Sequence, residues 1–187
     1  VTAGGRLGET RFRNQKSMQV KRSRPTLPLL YWTMDGWTAE LLYQKKETRN
    51  GRTTTTYTNR LTIVIVLDPC LNYPVGYAIG ERETPELIKA ALRNAANHTS
   101  ELFGRRYRVN QLQSDNYGRG NLTPIYQVMG DKYTPARAHN AKSKVIEPFF
   151  GYFNKKYCQV CLNWSGFGIT SNKNLQPNSE FLNKHRH

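Results

Sequence analysis

The chain has 187 residues, with 28 Lys and Arg against 13 Asp and Glu and a formal net charge of +15. That length suits one globular domain with extended ends. A charge so far from neutral points to a polyanionic partner, because counterions released from a phosphate backbone drive the binding of cationic proteins. The longest apolar run, Ile63-Val64-Ile65-Val66-Leu67, is far too short to span a bilayer, so no membrane partner is expected, and with a polyanion as the partner no small-molecule substrate is expected either. Three cysteines, Cys70, Cys158 and Cys161, are too few for a disulfide framework and suit a reducing, cytoplasmic compartment. Opening on Val1 rather than Met, the sequence reads as a fragment of something longer.

Residues 1–28 are basic, rich in Gly and without apolar periodicity, as a linker or arm would be. Leu29-Leu30-Tyr31-Trp32 then predicts a strand that delivers Asp35 at or near its end. Asn50-Gly51, set between Leu41-Leu42-Tyr43 and Thr53-Thr54-Thr55-Thr56-Tyr57, predicts a hairpin, since a type I′ turn needs two residues with positive φ. Residues 61–67 are almost continuously β-branched and apolar, a pattern for a strand buried on both faces. Residues 75–79 make a third strand, antiparallel to its neighbour.

Thr84-Pro85-Glu86 carries the marks of a helix start: a capping hydroxyl, a proline at the first position and an acid at the positive end of the dipole. Leu87, Ile88, Ala91, Leu92 and Ala95 line one face of that helix, which is expected to reach about His98. Residues 109–112 form a short strand ahead of Gln113-Ser114-Asp115-Asn116. Thr123-Pro124 is read as opening a second helix and Gly130 as ending it. Residues 132–138 supply a fifth strand. A polar stretch, 139–144, leads to Val145-Ile146-Glu147 and an aromatic-rich helix reaching about Cys158. The domain is thus bounded at 29–162, and residues 163–187 read as a C-terminal extension or loop. Strands and helices in this order predict an α/β domain with a mixed sheet.

Trp32-Thr33-Met34-Asp35, Ser114-Asp115-Asn116 and Lys144-Val145-Ile146-Glu147, followed by Asn154-Lys155-Lys156, resemble the D,D,E catalytic core of the retroviral integrase and transposase superfamily. In that family the first Asp lies on the first strand, the second follows the fourth strand, and the Glu belongs to a later helix. The resemblance covers about two-thirds of the chain. Thirty-one residues separate Asp115 from Glu147, somewhat fewer than is common in the family, and Gly151 stands where retroviral members carry a DNA-contacting Lys. It implies an RNase H-like mixed five-stranded sheet flanked by helices, with Asp35, Asp115 and Glu147 as catalytic residues and ligands of two Mg²⁺ (or Mn²⁺) ions. It further implies DNA as substrate, both element ends and target, and self-association on that DNA.

Arg119, Arg137, Lys142, Lys144, Lys155 and Lys156 flank these acids in sequence and are candidate phosphate contacts; the alternative is a solvated basic face. Asp68-Pro69 reads as a turn, and Glu81, Glu83 and Glu86 as acids serving a helix dipole. Cys158 and Cys161 have CxxC spacing without a second close pair, so buried thiols are expected rather than zinc. Phe149, Phe150, Phe153 and Tyr157 recur at helical spacing, as core residues do. Two other functions share these features: an RNase H-like nuclease that joins nothing, and a non-catalytic DNA-binding module.

Overall fold

The computed structural model describes residues 24–115, 119–135, 145–166 and 178–185. Strands β1 (Tyr31–Arg49), β2 (Arg52–Asp68) and β3 (Tyr73–Gly80) come first. They are followed by helix α1 (Pro85–Phe103), β4 (Val109–Ser114), α2 (Arg119–Met129), β5 (Gly130–Pro135), α3 (Glu147–Lys156) and the short α4 (Ser179–Lys184). The five strands form one mixed sheet in the order β3-β2-β1-β4-β5. The β1–β2 and β2–β3 pairs are antiparallel, whereas β1–β4 and β4–β5 are parallel.

Local signals account for much of this. Asn50 and Gly51 both take positive φ, 50° and 74°, and turn β1 into β2 with Arg49 paired to Arg52. The Thr84 hydroxyl accepts the Leu87 N–H at 3.2 Å and caps α1. That helix runs to Phe103, beyond His98, because Thr99 is buried with its hydroxyl bonded to the Ala95 and Ala96 carbonyls. Helix α2 begins at Arg119 rather than at Thr123-Pro124, and Pro124 lies inside it. Proline there forfeits a single backbone bond, the one to the carbonyl four residues back.

The sheet has an apolar layer on each side. On one face Trp32, Met34, Val64, Val66 and Leu112 pack with Ile88, Ala91, Leu92 and Ala95 of α1 and with Leu122 and Tyr126 of α2. Here α1 comes so close to β3 that a Cβ at Gly76 would sit 2.4 Å from the Ala95 nitrogen. On the other face Ile65 and Leu67 pack with Ile146, Phe149 and Phe150, with Trp37, Ile63 and Phe153 at the margin. Asp68 is buried and structural: its carboxylate accepts the N–H groups of Leu29 (2.6 Å) and Cys70 (2.8 Å), pinning the start of β1 to the end of β2. Cys158 is buried, and burial pushes its thiol up to about 11. Cys161 is exposed. Among the described residues no helix is long and apolar enough to cross a membrane.

One expectation needs correction. Asp35 does not end its strand; β1 continues fourteen residues further, because Thr, Tyr and Leu keep favouring extended backbone as far as the Asn-Gly turn. The first residues after 162 bond back to the sheet. Leu42 donates its N–H to the Asn163 carbonyl (2.9 Å), the Asn163 side chain returns a bond to the Leu42 carbonyl (2.7 Å), and Ser165 donates to the Glu40 carbonyl (2.7 Å). Residues 163–165 thereby pair with the edge of β1 beyond the point where β4 has stopped.

Candidate active site

Alternation along β1 places Tyr31, Thr33, Asp35 and Trp37 on one face and Trp32, Met34 and Gly36 on the other. The second set faces the core under α1 and α2, so Asp35 faces the side covered by α3. Antiparallel pairing with β2 agrees: Thr33 is opposite Leu67, Asp35 opposite Ile65 and Trp37 opposite Ile63. Asp35 itself is half-buried, and its Oδ1 accepts the Gly36 N–H at 3.1 Å.

Asp115 arrives from β4. That strand is parallel to β1 with Tyr31 level with Gln111, Trp32 with Leu112 and Thr33 with Gln113. The pairing ends at Thr33 and Gln113, so Asp35 and Asp115 each lie two residues beyond the last pair, at the same end of these parallel strands. The Tyr31 hydroxyl donates to the side-chain carbonyl of buried Gln113, which locks the two strands together just before the acids. The backbone at Asp115 is held as well. Its carbonyl accepts from the Ser114 hydroxyl (3.0 Å) and from the Tyr133 hydroxyl (3.3 Å).

Glu147 is the first residue of α3 and is exposed. The helix it opens is fastened over the Asp35 face. Phe150 stacks on Trp37 at 5.6 Å between ring centroids, Phe153 meets the same ring edge-on at 6.1 Å, and Ile146 is buried with Ile65 and Leu67. Aromatics at these distances add to the area they bury. Phe149 and Phe150 are core residues, as their spacing indicated, whereas Tyr157 is exposed.

Another carboxylate, Glu83, lies across the sheet from Asp35, on the face covered by α1 and α2. A Cβ built on Gly36 would fall 2.3 Å from a Glu83 carboxylate oxygen, so Glu83 rests against the backbone immediately after Asp35. Tyr126 registers the local charge. Its hydroxyl is pushed up to about 12, chiefly by burial; a hydrogen bond with Ser114 opposes the rise, and the negative charges of Tyr133, Asp115 and Glu83 add to it. Sequence reasoning assigned Glu83 to the helix dipole alone. The available signal was Gly36, because a glycine inside a strand marks close approach by another group.

Asp35 and Asp115 each lie two residues beyond the last pair of two adjacent parallel strands, and α3, which Glu147 opens, covers the face that Asp35 occupies. Among the described residues, no group of three or more His, Cys, Asp or Glu side chains is close enough to hold a metal ion. The donor chemistry nevertheless fits a hard divalent cation, which takes carboxylate oxygens. Of the candidate phosphate contacts, Arg119 opens α2 shortly after Asp115. Lys155 and Lys156 are exposed in the last turn of α3, about 12 Å along the helix from Glu147, where they complement the negative end of its dipole. Arg137, Lys142 and Lys144 lie outside the described residues.

A scan against protein-family models finds no match for this chain, and a search of curated proteins finds no significant relative.

Proposed function

We propose that this chain is the catalytic core of a DNA transposase or integrase, a metal-dependent phosphoryl transferase with an RNase H-like fold. The observation that supports the reading is that Asp35 and Asp115 each follow, by two residues, the last pair of neighbouring parallel strands, Thr33 and Gln113. Glu147 opens the helix that crosses the same face. The net charge of +15 supports a phosphate-backbone substrate. The acids occupy the first strand, the end of the fourth and a later helix, which is the order that the resemblance implies.

Asp35, Asp115 and Glu147 would hold two Mg²⁺ or Mn²⁺ ions. Such ions, when bound, lower the pKa of an attacking water or DNA 3′-hydroxyl and stabilise the leaving oxygen of an in-line displacement. The chain's own residues supply position. Tyr31 and Gln113 fix the β1–β4 register, Ser114 and Tyr133 hold the Asp115 backbone, and Trp37 anchors α3. Water as nucleophile nicks an element end; the freed 3′-hydroxyl as nucleophile joins it to a target strand. Each step exchanges one phosphorus–oxygen bond for another, so joining consumes no nucleotide triphosphate.

The test is an oligonucleotide assay in Mg²⁺ or Mn²⁺, with labelled duplex ends and a separate target duplex. Joined products of increased length are the expected result. Cleavage without joining would assign the chain to nucleases that share these acids, and binding with neither reaction would make it a non-catalytic DNA-binding module.

A further inference from the structure

We infer that the outer half of the β1–β2 hairpin is a DNA-contacting ribbon that grips duplex phosphates at a distance from the candidate active site. The inference rests on the DNA reading above and adds to it a surface that lies apart from the acids. Strand β3 pairs with β2 only from Thr62 to Asp68, and β4 pairs with β1 only from Tyr31 to Thr33. Beyond Tyr43 on one strand and Asn59 on the other, the two strands pair with no third strand among the described residues. No apolar side chain occurs from Gln44 to Thr56, so this part of the ribbon has no core to form and neither face suits an apolar partner.

Its chemistry is cationic. Residues 43–60 hold Lys45, Lys46, Arg49, Arg52 and Arg60 against one acid, Glu47. Glu47 is already shared between Lys45 (2.7 Å) and Arg49 (3.3 Å), Lys45 also pairs with Glu81 (2.5 Å), and Arg60 pairs with Glu40 (3.0 Å). Lys46 and Arg52 are exposed and have no acid beside them among the described residues, and the Arg49 side chain is 85% exposed. Between these cations Thr54 is exposed, and its hydroxyl can donate to a phosphate oxygen. A two-stranded ribbon is also narrow enough for the major groove of B-DNA.

Geometry links the ribbon to the site. β1 runs unbroken from Asp35 to Arg49, and the ribbon leaves the sheet at the end where β4 delivers Asp115. At roughly 3.3 Å per residue the tip lies on the order of 45 Å beyond Asp35, a little more than one helical turn of duplex at about 34 Å. The bonds from residues 163–165 to Glu40 and Leu42 brace its base, so the reach is directed. A duplex whose scissile phosphate sits at Asp35 can meet the tip about one turn away.

The experiment measures binding of the full chain to a 40-base-pair duplex across a salt series, using fluorescence anisotropy. Unmodified protein is compared with the triple variant K46A, R49A and R52A, and with a control triple of equal charge, K89A, R93A and R106A, placed on and just after α1. Each phosphate left without its cation lowers the slope of log affinity against log salt by about 0.9. The ribbon variant is expected to leave two or three phosphates in that state and to bind more than tenfold more weakly at moderate salt, with an unchanged melting temperature. The control is expected to weaken far less. Equal weakening in the two triples, or an unchanged slope in the ribbon variant, would overturn the inference while leaving the DNA reading intact. Failure of the unmodified protein to bind duplex DNA would overturn both.

Discussion

Within the first 12 residues of β1, Trp32, Met34, Ala39 and Leu42 are almost wholly removed from water, whereas from Gln44 onward the same strand alternates half-exposed and exposed polar residues to its end. The backbone pairing is continuous through both regions, with register shifts between Thr38 and Leu42 and between Tyr43 and Lys45. What separates them is neighbours. The inner half of the hairpin lies between β3 and β4 and under helices on both faces; among the described residues the outer half has no such neighbour. A ladder of backbone bonds therefore gives the hairpin its shape, while side-chain burial decides which half holds the protein together and which half is open to a partner. Asp35 sits inside the buried half, where its position is rigidly determined, and the basic tip sits where substitution costs the fold little.

The largest effect is expected at the acids themselves. Asp115→Asn keeps size and one acceptor but removes the charge, so strand joining and cleavage should fall together by on the order of a thousandfold. Melting temperature and duplex affinity should stay near normal, because phosphate contacts come from Lys and Arg. Near-normal joining by a folded Asp115→Asn protein would show that the acid is wrongly chosen.

Next in size is the inner half's hold on stability. Trp32 is fully buried, and Trp32→Ala should cost about 3–5 kcal/mol in urea unfolding through forgone packing and an unfilled cavity. A cost below about 1 kcal/mol would mean that the inner half is no more essential than the tip.

A pH series sharpens the same contrast. Tyr126 packs in the core with Trp32 and Met34, and its pKa rises from 10 to about 12 on folding. A raised pKa means that the fold prefers the neutral phenol. The corresponding stability is complete below pH 10 and is lost as pH rises from 10 towards 12. Tyr126→Phe has no proton to lose there, so its stability should fall less than that of the unmodified protein between these values. Parallel curves for the two proteins would remove Tyr126 as the cause.

The smallest effect belongs to the outer half. Thr54→Ala, at an exposed position outside both apolar layers, should change unfolding free energy by no more than about 0.5 kcal/mol. A cost comparable to that of Trp32→Ala would erase the distinction between the halves.

The sequence by itself determined those features whose causes lie within a few residues. Asn50-Gly51 makes its turn because both residues tolerate positive φ, and Thr84-Pro85 starts α1 because the hydroxyl and the ring meet the needs of a helix N-terminus. The extended character of the strand segments and the apolar face of α1 follow from patterns of comparable range. Only the tertiary structure decided what depends on residues far apart in the chain. The parallel pairing of β4 with β1, the carboxylate of Glu83 against Gly36, and the brace from residues 163–165 to Glu40 and Leu42 each join segments tens of residues or more apart. No local propensity encodes them, because each exists only once the sheet has closed and the backbone groups exposed at its edges take whichever partners the packed layers bring within reach.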